Sequence, residues 1–365
     1  DADLEHNGRP VQSKGYITDV ITDRAIAYIR GHLGQPFFCY VPYNTPHSPW
    51  QVADRYFDKY KARGLDDKTA CAYAMCENLD ENLGRLLTTL DDLDLARNTI
   101  VIFLSDNGPN SNRYNGGMKG RKGSVHQGGI RVPCFIRFPG RIPAGRKIDH
   151  FEAAHIDLLP TLVELTGIEE PRTLPLDGRS LAPALVGDRG VWPDRLLFTT
   201  WRGRGAVRDG QYVSTHEGQL YNLLTDPNQK QNLATRLPRV QAKLQVAYGR
   251  WQQEVSRRGF DPIPTEVGHR EWPVVRLRGH EALLQPPARD RRGDRRGLGI
   301  RFNGRPGWAN DWVTGWTSLD AFPSWPVRVV RGGRYRVTLR YCCEPADLGA
   351  RVAVVVGKSR VVGQV

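Results

Sequence analysis

The feature that most constrains this sequence is a short apolar run that ends in an acidic turn. The run covers residues 100–104 and is rich in β-branched side chains, which predicts a strand buried on both faces, as in a parallel sheet. It stops at SDNGP, residues 105–109. Ligands of open α/β sheets bind beyond the carboxyl ends of strands, so Asp106 and Asn107 stand where such a fold places its chemistry. Their oxygens suit calcium or magnesium, and the alternative is an ordinary Asx turn.

The loop that follows, residues 110–131, is polar and rich in glycine. Glycines let the backbone approach a ligand closely, and clustered cations suit a tetrahedral oxyanion. The loop is not a Walker A motif, because Arg121 occupies the position where that motif has glycine before Lys122. We therefore expect a loop organised by an anionic ligand, the alternative being a solvated basic loop.

A second apolar run leads into a loop that carries a histidine. Residues 37–41 predict another buried strand, and the loop 42–50 after it places His47 between two prolines. A histidine at this edge can serve as a general acid because its pKa lies near neutrality; the alternative is a surface histidine. Apolar patterning also predicts other elements: helices over 16–32, 69–90 and 155–165, and a strand over 134–138.

Composition indicates a folded globular protein. The 365 residues are 39% hydrophobic and 9% aromatic, which is enough for two or three domains with a sizeable core. No apolar run reaches the roughly eighteen residues of a transmembrane helix. The net charge of +13 favours anionic partners, such as nucleic acid or a sulfated polysaccharide. The arginine-rich run 287–296 mixes acids with bases and predicts an exposed linker.

The motifs of this chain resemble those of the sulfatase family of the alkaline phosphatase superfamily. In chain order they are TPHSP at 45–49, DNGP at 106–109, KGSVHQGGIRVP at 122–133, HIDLLPTL at 155–162 and LDGRSL at 176–181. The resemblance implies an α/β, alkaline-phosphatase-like sandwich with a mainly parallel central sheet whose N-terminal part is missing. A small α+β C-terminal subdomain and a β-rich terminal domain would follow.

The resemblance also implies a role for each matching residue. Asp106 and Asn107 would bind one divalent cation, Ca²⁺ in the family. Lys122 would hold a sulfate oxygen, and His47 would protonate the departing alcohol. Three neighbours of Lys122 are further candidates for substrate contact: Lys119, Arg121 and His126.

The nucleophile of the family pattern is missing before the DNGP turn. Sulfatases use a formylglycine made from Cys or Ser in a [CS]-x-P-x-R motif, preceded by a pair of Asp metal ligands. The single formal match, residues 324–328, lies after the core and is interpreted as a chance match. We therefore expect the formylglycine upstream of this chain, and expect the chain alone to be inactive. His155 and Asp157 are candidate metal ligands by residue type, but the resemblance implies a mostly structural role for their segment.

Changes in sequence character divide the chain into three predicted domains. They are a partial sulfatase catalytic core at 1–187, the sulfatase C-terminal subdomain at 188–262, and a truncated β-sandwich-like accessory domain at 263–365. The subdomain is predicted to contain short antiparallel strands within 196–214 and a final helix over 239–257. In the last domain Trp308, Trp312 and Trp316 recur every four residues, either as a sugar-stacking platform or as core.

The function implied by the resemblance is hydrolysis of aryl or carbohydrate sulfate esters with a formylglycine nucleophile and a divalent cation. Two alternatives stay open: a phosphodiesterase or phosphonate monoester hydrolase of the same superfamily, and a non-catalytic pseudoenzyme that binds polyanions. The expected partner is a sulfated small molecule or polysaccharide, not nucleic acid or a membrane. The resemblance implies a periplasmic or secreted location.

Overall fold

The computed structural model describes residues 2–7, 9–111, 114–149, 152–169, 174–188, 192–257, 259, 261–289, 294–304 and 311–364. The chain forms two compact units, which we call unit 1 (Asp1–Val255) and unit 2 (Ser256–Val365). The three predicted domains and their boundaries stay predictions. In the described part of the chain, no helix has the length and apolar character needed to cross a membrane. All six cysteines are free thiols.

Unit 1 contains more helix than strand. Its helices are α1 (Ile17–Gly31), α2 (Asp54–Lys61), α3 (Asp67–Asp92), α4 (Gln127–Ile130), α5 (Leu158–Thr166), α6 (Ala182–Val186) and α7 (Pro238–Val255). Single 3₁₀ turns occupy Ala96–Asn98 and His155–Asp157. The helices predicted over 16–32, 69–90, 155–165 and 239–257 are therefore confirmed.

The strands of unit 1 are all antiparallel in their described ladders. They are β1 (Ala2–His6), β2 (Arg9–Ser13), β3 (Val101–Leu104), β4 (Cys134–Arg137), β5 (Leu196–Trp201), β6 (Arg204–Asp209), β7 (Tyr212–Thr215) and β8 (Leu220–Asn222). β5 to β8 form one four-stranded sheet in chain order, which confirms the antiparallel strands predicted within 196–214. α7 covers this sheet, burying Leu244 against Val207 and Leu220.

α3 holds α1 and α2 in place. Its first turn is capped by Asp66, whose carboxylate accepts a hydrogen bond from the Thr69 backbone at 3.1 Å. Two buried amides on its inner face, Asn78 and Asn82, donate to Asp19 of α1 at 2.9 and 2.6 Å. These polar contacts fix the helix pair because a buried amide without a partner would be costly.

Two details of the predicted sheet are wrong. β3 pairs antiparallel with β4 in a two-stranded sheet, and all four of its residues are only partly buried. Residues 37–41 form no strand, and Phe38 and Tyr40 are each 77% exposed. A strand is buried on both faces only when other elements cover both faces, and the described residues provide β3 with one ladder.

Unit 2 is built from short strands. They are β9 (Thr265–Val267), β10 (Leu283–Gln285), β11 (Arg301–Phe302), β12 (Val313–Thr314), β13 (Phe322–Ser324), β14 (Val327–Val329), β15 (Arg351–Val356) and β16 (Ser359–Gln364). They pair two by two, as β10–β13, β11–β12, β9–β14 and β15–β16, and only the β9–β14 ladder is parallel among those described. Single 3₁₀ turns occupy Gly279–Glu281 and Pro345–Asp347.

The predicted β-sandwich is not seen in the described part of unit 2. There the strands pair only two by two, so no ladder joins three or more strands into a sheet, and the small core consists of Ala282, Leu284, Ile300 and Ala321 with a few neighbours. Trp312 is 58% exposed and Trp316 is 51% exposed, so neither is a core residue. Trp308 lies outside the described residues, and the sugar-stacking role stays a prediction.

Candidate active site

The acidic turn follows directly after β3. Asp106 is exposed, and within the described residues its carboxylate makes no hydrogen bond or ion pair. Asn107 is half-buried, and its Nδ2 donates to the Gly108 carbonyl at 3.2 Å, which leaves its Oδ1 uncommitted. Two oxygens of the kind that calcium prefers are therefore available side by side.

The glycine-rich loop is closed onto this turn by backbone hydrogen bonds. The Gly108 N–H donates to the Gly129 carbonyl at 2.9 Å, and the Lys122 N–H donates to the Pro109 carbonyl at 2.9 Å. The contact is so close that a Cβ added at Gly108 would lie 2.0 Å from the Gly128 oxygen. Glycine is required here for space, and the contact brings Lys122 next to the acidic turn.

Lys119 is bound by the four-stranded sheet rather than free. Its Nζ donates to the Tyr221 hydroxyl at 2.6 Å and lies 4.7 Å from the centre of that ring. Tyr221 is 2% exposed, and its hydroxyl donates in turn to Gln219 at 2.8 Å. The side chain predicted to contact substrate thus also ties the glycine-rich loop to β8.

His126 lies beside the same tyrosine, with its ring edge-on to the Tyr221 ring at 6.1 Å. Burial lowers its pKa below the ordinary value, and the nearby Lys119 ammonium lowers it further. Its Nδ1 is 3.4 Å from the Nε2 of Gln229, whose Oε1 accepts a 2.9 Å hydrogen bond from the Gln127 N–H. His126 is therefore held as a neutral imidazole at the sheet-facing side of the loop.

Arg121 and Lys122 differ from Lys119 in their surroundings. Arg121 is exposed and Lys122 is half-buried, and neither side chain has an acceptor among the described residues. The Arg121 N–H donates to the Ser124 hydroxyl at 3.2 Å, which closes the turn that contains both cations. The contacts of both cations with an anionic ligand stay predictions.

His47 lies in a separate loop. Its Nδ1 is 2.8 Å from the Ser48 carbonyl, so that nitrogen carries a proton and Nε2 is left for another partner. The loop is fixed to α1 by the Thr45 and Thr18 hydroxyls, 2.9 Å apart. Within the described residues no hydrogen bond or ion pair joins His47 to Lys122 or Asp106, so its place in the site stays a prediction.

His155 and Asp157 have structural partners. The buried Asp157 accepts from both terminal nitrogens of Arg195, at 2.6 and 2.5 Å, and from the backbone of Ala154 and Arg179. Burial opposes ionisation of Asp157, but these donors outweigh it and hold its pKa below the ordinary value. The His155 Nε2 donates to the Ser105 carbonyl at 2.9 Å, one residue before the acidic turn.

The donor set around the turn fits a calcium ion only in part. Asp106 and Asn107 supply hard oxygens, whereas calcium takes six to eight ligands. In the described part of the chain, no three His, Cys, Asp or Glu residues converge as a metal site would require. Asp106 and Asn107 are therefore two members of a site whose other ligands are not found among the described residues.

The formal nucleophile match at 324–328 is used structurally. The Ser324 hydroxyl donates to the Leu283 carbonyl at 3.1 Å within the β10–β13 pair, and Arg328 forms an ion pair with Glu266. Both ends of the motif therefore have partners inside unit 2. This arrangement agrees with the interpretation of a chance match.

Sequence reasoning missed the residues that hold the glycine-rich loop from the sheet side. These are Tyr221, Gln229 and Arg204, whose guanidinium donates to the Gly123 carbonyl at 3.3 Å. The only signal was indirect: the segment 219–234 looks like the end of the small sulfatase subdomain. That pattern does not predict which side chains contact the glycine-rich loop, about a hundred residues earlier in the sequence.

Comparison with known proteins agrees with the motifs. A profile described as Sulfatase matches residues 2–168, and one described as N-sulphoglucosamine sulphohydrolase, C-terminal, matches residues 121–249. A sulfatase of Formosa agariphila is 32% identical over 61% of this chain and 47% of its own length. Arylsulfatase A of Bos taurus is 30% identical over 72% of this chain and 56% of its own length. The chain spans about half the length of these relatives.

The fold gives the same answer. The crystal structure of Ps i-CgsB in complex with k-i-k-neocarrahexaose matches with a TM-score of 0.64 and 27% identity, covering 68% of this chain and 58% of that one. The fold is thus the α/β, alkaline-phosphatase-like fold of sulfatases, as the sequence predicts. The two profiles together span residues 2–249, and with the relatives and the fold they show that the chain belongs to the sulfatase family of the alkaline phosphatase superfamily.

Proposed function

We propose that the protein hydrolyses sulfate esters, with carbohydrate sulfates as the substrate class. The observation that supports this most directly is the closure of the glycine-rich loop onto the Asp106–Asn107 turn. The Lys122 N–H donates to the Pro109 carbonyl, which ties the backbone of this cationic residue to the segment that carries the two uncommitted metal-type oxygens. A sulfate ester needs this combination, because negative charge on its oxygens must be held while the ester bond breaks.

Each residue then has a role that follows from its surroundings. Lys122 binds a non-bridging sulfate oxygen and offsets the charge that develops there. His47 acts as the general acid from its imidazolium form: Nδ1–H donates to the Ser48 carbonyl, Nε2–H gives its proton to the departing alcohol oxygen, and the neutral imidazole remains. Arg121 is placed to contact the rest of the substrate, whereas Lys119 and His126 act at the sheet-facing side of the loop.

A divalent cation, Ca²⁺ by resemblance, would be held by Asp106 and Asn107. When bound it would polarise the sulfate group. The nucleophile in this proposal is a formylglycine contributed by a segment outside the sequence described here. A periplasmic or secreted location belongs to the same proposal. The oligosaccharide bound by Ps i-CgsB supports a carbohydrate as the alcohol component.

The test is a comparison of esters with the full-length protein, co-produced with a formylglycine-generating enzyme. We expect 4-nitrophenyl sulfate to be hydrolysed with a higher kcat/KM than 4-nitrophenyl phosphate, its diester or phenylphosphonate. Lys122→Ala should lower kcat/KM about a hundredfold or more, because one preorganised donor to the charged oxygen is lost. The matched control is Lys147→Ala, since that side chain is 84% exposed. Removal of divalent cations should abolish turnover, and Ca²⁺ should restore it.

Other outcomes would favour other functions. Faster turnover of the phosphorus esters would indicate a phosphodiesterase or phosphonate hydrolase. Binding of sulfated ligands without turnover of any ester would indicate a pseudoenzyme. An unchanged kcat/KM in Lys122→Ala would remove Lys122 from the proposed site.

A further inference from the structure

The positive charge of the chain is concentrated in unit 2. Residues 256–365 contain 20 of the 52 Lys and Arg residues but only 10 of the 39 Asp and Glu residues, so they carry +10 of the net +13. Nineteen of these 20 cations are arginines, with Lys358 as the exception. A guanidinium binds oxyanions through two parallel N–H groups, which an ammonium cannot do.

Within unit 2 the cations differ in how they are used. In the predicted linker, Arg295 is half-buried and donates to the Ile300 and Leu284 carbonyls, and Arg296 pairs with Asp294. The predicted linker is therefore partly an internal support in its described residues. Arg295 and Arg296 therefore already have acceptors within unit 2.

A group of exposed cations without a described partner lies further along the chain. Between Asp320 and Glu344 the sequence has five arginines and no acidic residue. Arg328 is paired with Glu266, but Arg334, Arg336 and Arg340 are exposed. Among the described residues none of these three side chains has a hydrogen bond or an ion pair. We call residues 334–341 the arginine strip.

Apolar and aromatic side chains alternate with these arginines. They are Tyr335, Val337, Leu339 and Tyr341, which are between 47% and 57% exposed. The strip is attached to the rest of unit 2 through Tyr335, whose hydroxyl donates to the Arg331 carbonyl and fills the space beside Gly268. Exposed tyrosines next to guanidinium groups offer a sugar ring an amphipathic face and its anionic substituents a charge partner.

We propose that the arginine strip is a binding site for a sulfated polysaccharide, separate from the hydrolytic site of unit 1. Three guanidinium groups without acceptors of their own can bind successive sulfate groups and release the counterions of the polymer. Charge complementarity calls for a polyanion. The choice of sulfate over phosphate as its charged group rests on the proposed function, since a sulfatase that holds its polymer keeps further sulfate esters near the site.

The experiment uses the full-length protein and immobilised heparin across a salt series. Arg334→Gln/Arg336→Gln/Arg340→Gln should weaken binding about tenfold at 0.15 M salt, with a shallower dependence of affinity on salt. The control Arg24→Gln/Arg239→Gln/Arg250→Gln removes the same net charge from exposed positions on α1 and α7 and should change binding less than twofold, within the order of a neutral surface substitution. Hydrolysis of 4-nitrophenyl sulfate should be equal in all three proteins.

The competing explanations give different results. Equal losses in the two triple variants would overturn the proposal, because net charge alone would then govern binding. Unchanged binding to chemically desulfated heparin would exclude sulfate as the recognised group. Tighter binding to single-stranded oligo(dT) than to heparin would make nucleic acid the partner. Strip-dependent heparin binding in a protein that hydrolyses no sulfate ester would support the strip and count against the proposed function alone.

Discussion

Two groups of cations in this protein are held in opposite ways. In unit 1, Lys119 is bound to the buried Tyr221 hydroxyl, and Arg195 is buried against Asp157. In unit 2, the arginine strip presents Arg334, Arg336 and Arg340 to solvent without an acceptor among the described residues. The first group is fixed by the fold, whereas the second is free to follow a ligand.

The difference separates two uses of positive charge. A fixed cation holds neighbouring segments in one arrangement, as Lys119 holds the glycine-rich loop against β8. A solvated cation contributes long-range attraction that salt weakens, which is what capture of a flexible polymer needs. Hydrolysis should therefore depend on individual residues of unit 1, and polymer binding on the summed charge of the strip.

The largest effect is expected when a fixed cation loses the acidic residue that it is paired with. Asp157→Asn should lower the free energy of unfolding by about 3 to 5 kcal/mol, because it leaves the buried Arg195 guanidinium without its counter-charge. The matched control in unit 2 is Glu266→Gln, which removes the partner of the exposed Arg328 and should cost about 1 kcal/mol or less. Urea unfolding of the full-length proteins at pH 7 measures both. Equal losses would contradict the distinction between fixed and solvated cations.

The same pair predicts a dependence on pH. The pKa of Asp157 is held below its ordinary value in the folded protein, so the folded state favours the carboxylate. The resulting stabilisation is complete above the unfolded pKa of about 3.9 and is lost as the pH falls toward the folded pKa. The difference in unfolding free energy between the wild type and Asp157→Asn should therefore be constant near neutrality and shrink below about pH 4.

The second test concerns the close backbone packing around Gly128 in the glycine-rich loop. A Cβ at Gly128 would lie 2.2 Å from the Gly120 oxygen and 2.8 Å from the Lys119 oxygen. Gly128→Ala should therefore destabilise the protein by about 3 kcal/mol and reduce sulfate-ester turnover, because backbone atoms must move. In Gly333→Ala, beside the arginine strip, the new Cβ has nothing within 4 Å, and we expect a change within about 0.5 kcal/mol. A fully stable Gly128→Ala would show that Gly128 does not pack this closely against residues 119 and 120.

The sequence predicted the helices of this protein better than it predicted the contacts that each segment makes. Apolar spacing was sufficient for α1, α3 and α7, because an amphipathic helix needs only one face covered. It failed at residues 37–41, where β-branched and aromatic composition predicted a buried strand but burial depends on what lies on either side. It also could not show that Tyr221 binds Lys119, because that contact joins positions 102 residues apart.

In the candidate site, too, short motifs predict the chemical groups but not the residues that those groups contact. Asp106, Asn107 and Lys122 follow from short motifs, and backbone contacts made by Gly108 and Pro109 join the two segments that carry them. The role of Asp157 could be judged only after its partner was seen, since Arg195 lies 38 residues away in the sequence. Short motifs identify chemical groups, whereas their partners are determined by long-range packing.

The smallest effect is expected for the pKa of His126, which tests whether the Lys119 ammonium is held near that ring. Lys119→Met should raise the pKa of His126, because the nearby ammonium, together with burial, lowers it in the wild type. NMR titration of the His126 ring measures this shift, and Lys147→Met is the control that removes the same charge from an exposed site. The lost hydrogen bond to Tyr221 should cost about 1 kcal/mol of stability. If the pKa of His126 were the same in both variants, Lys119 would be mobile rather than bound to Tyr221, and the distinction between fixed and solvated cations would fail at the loop itself.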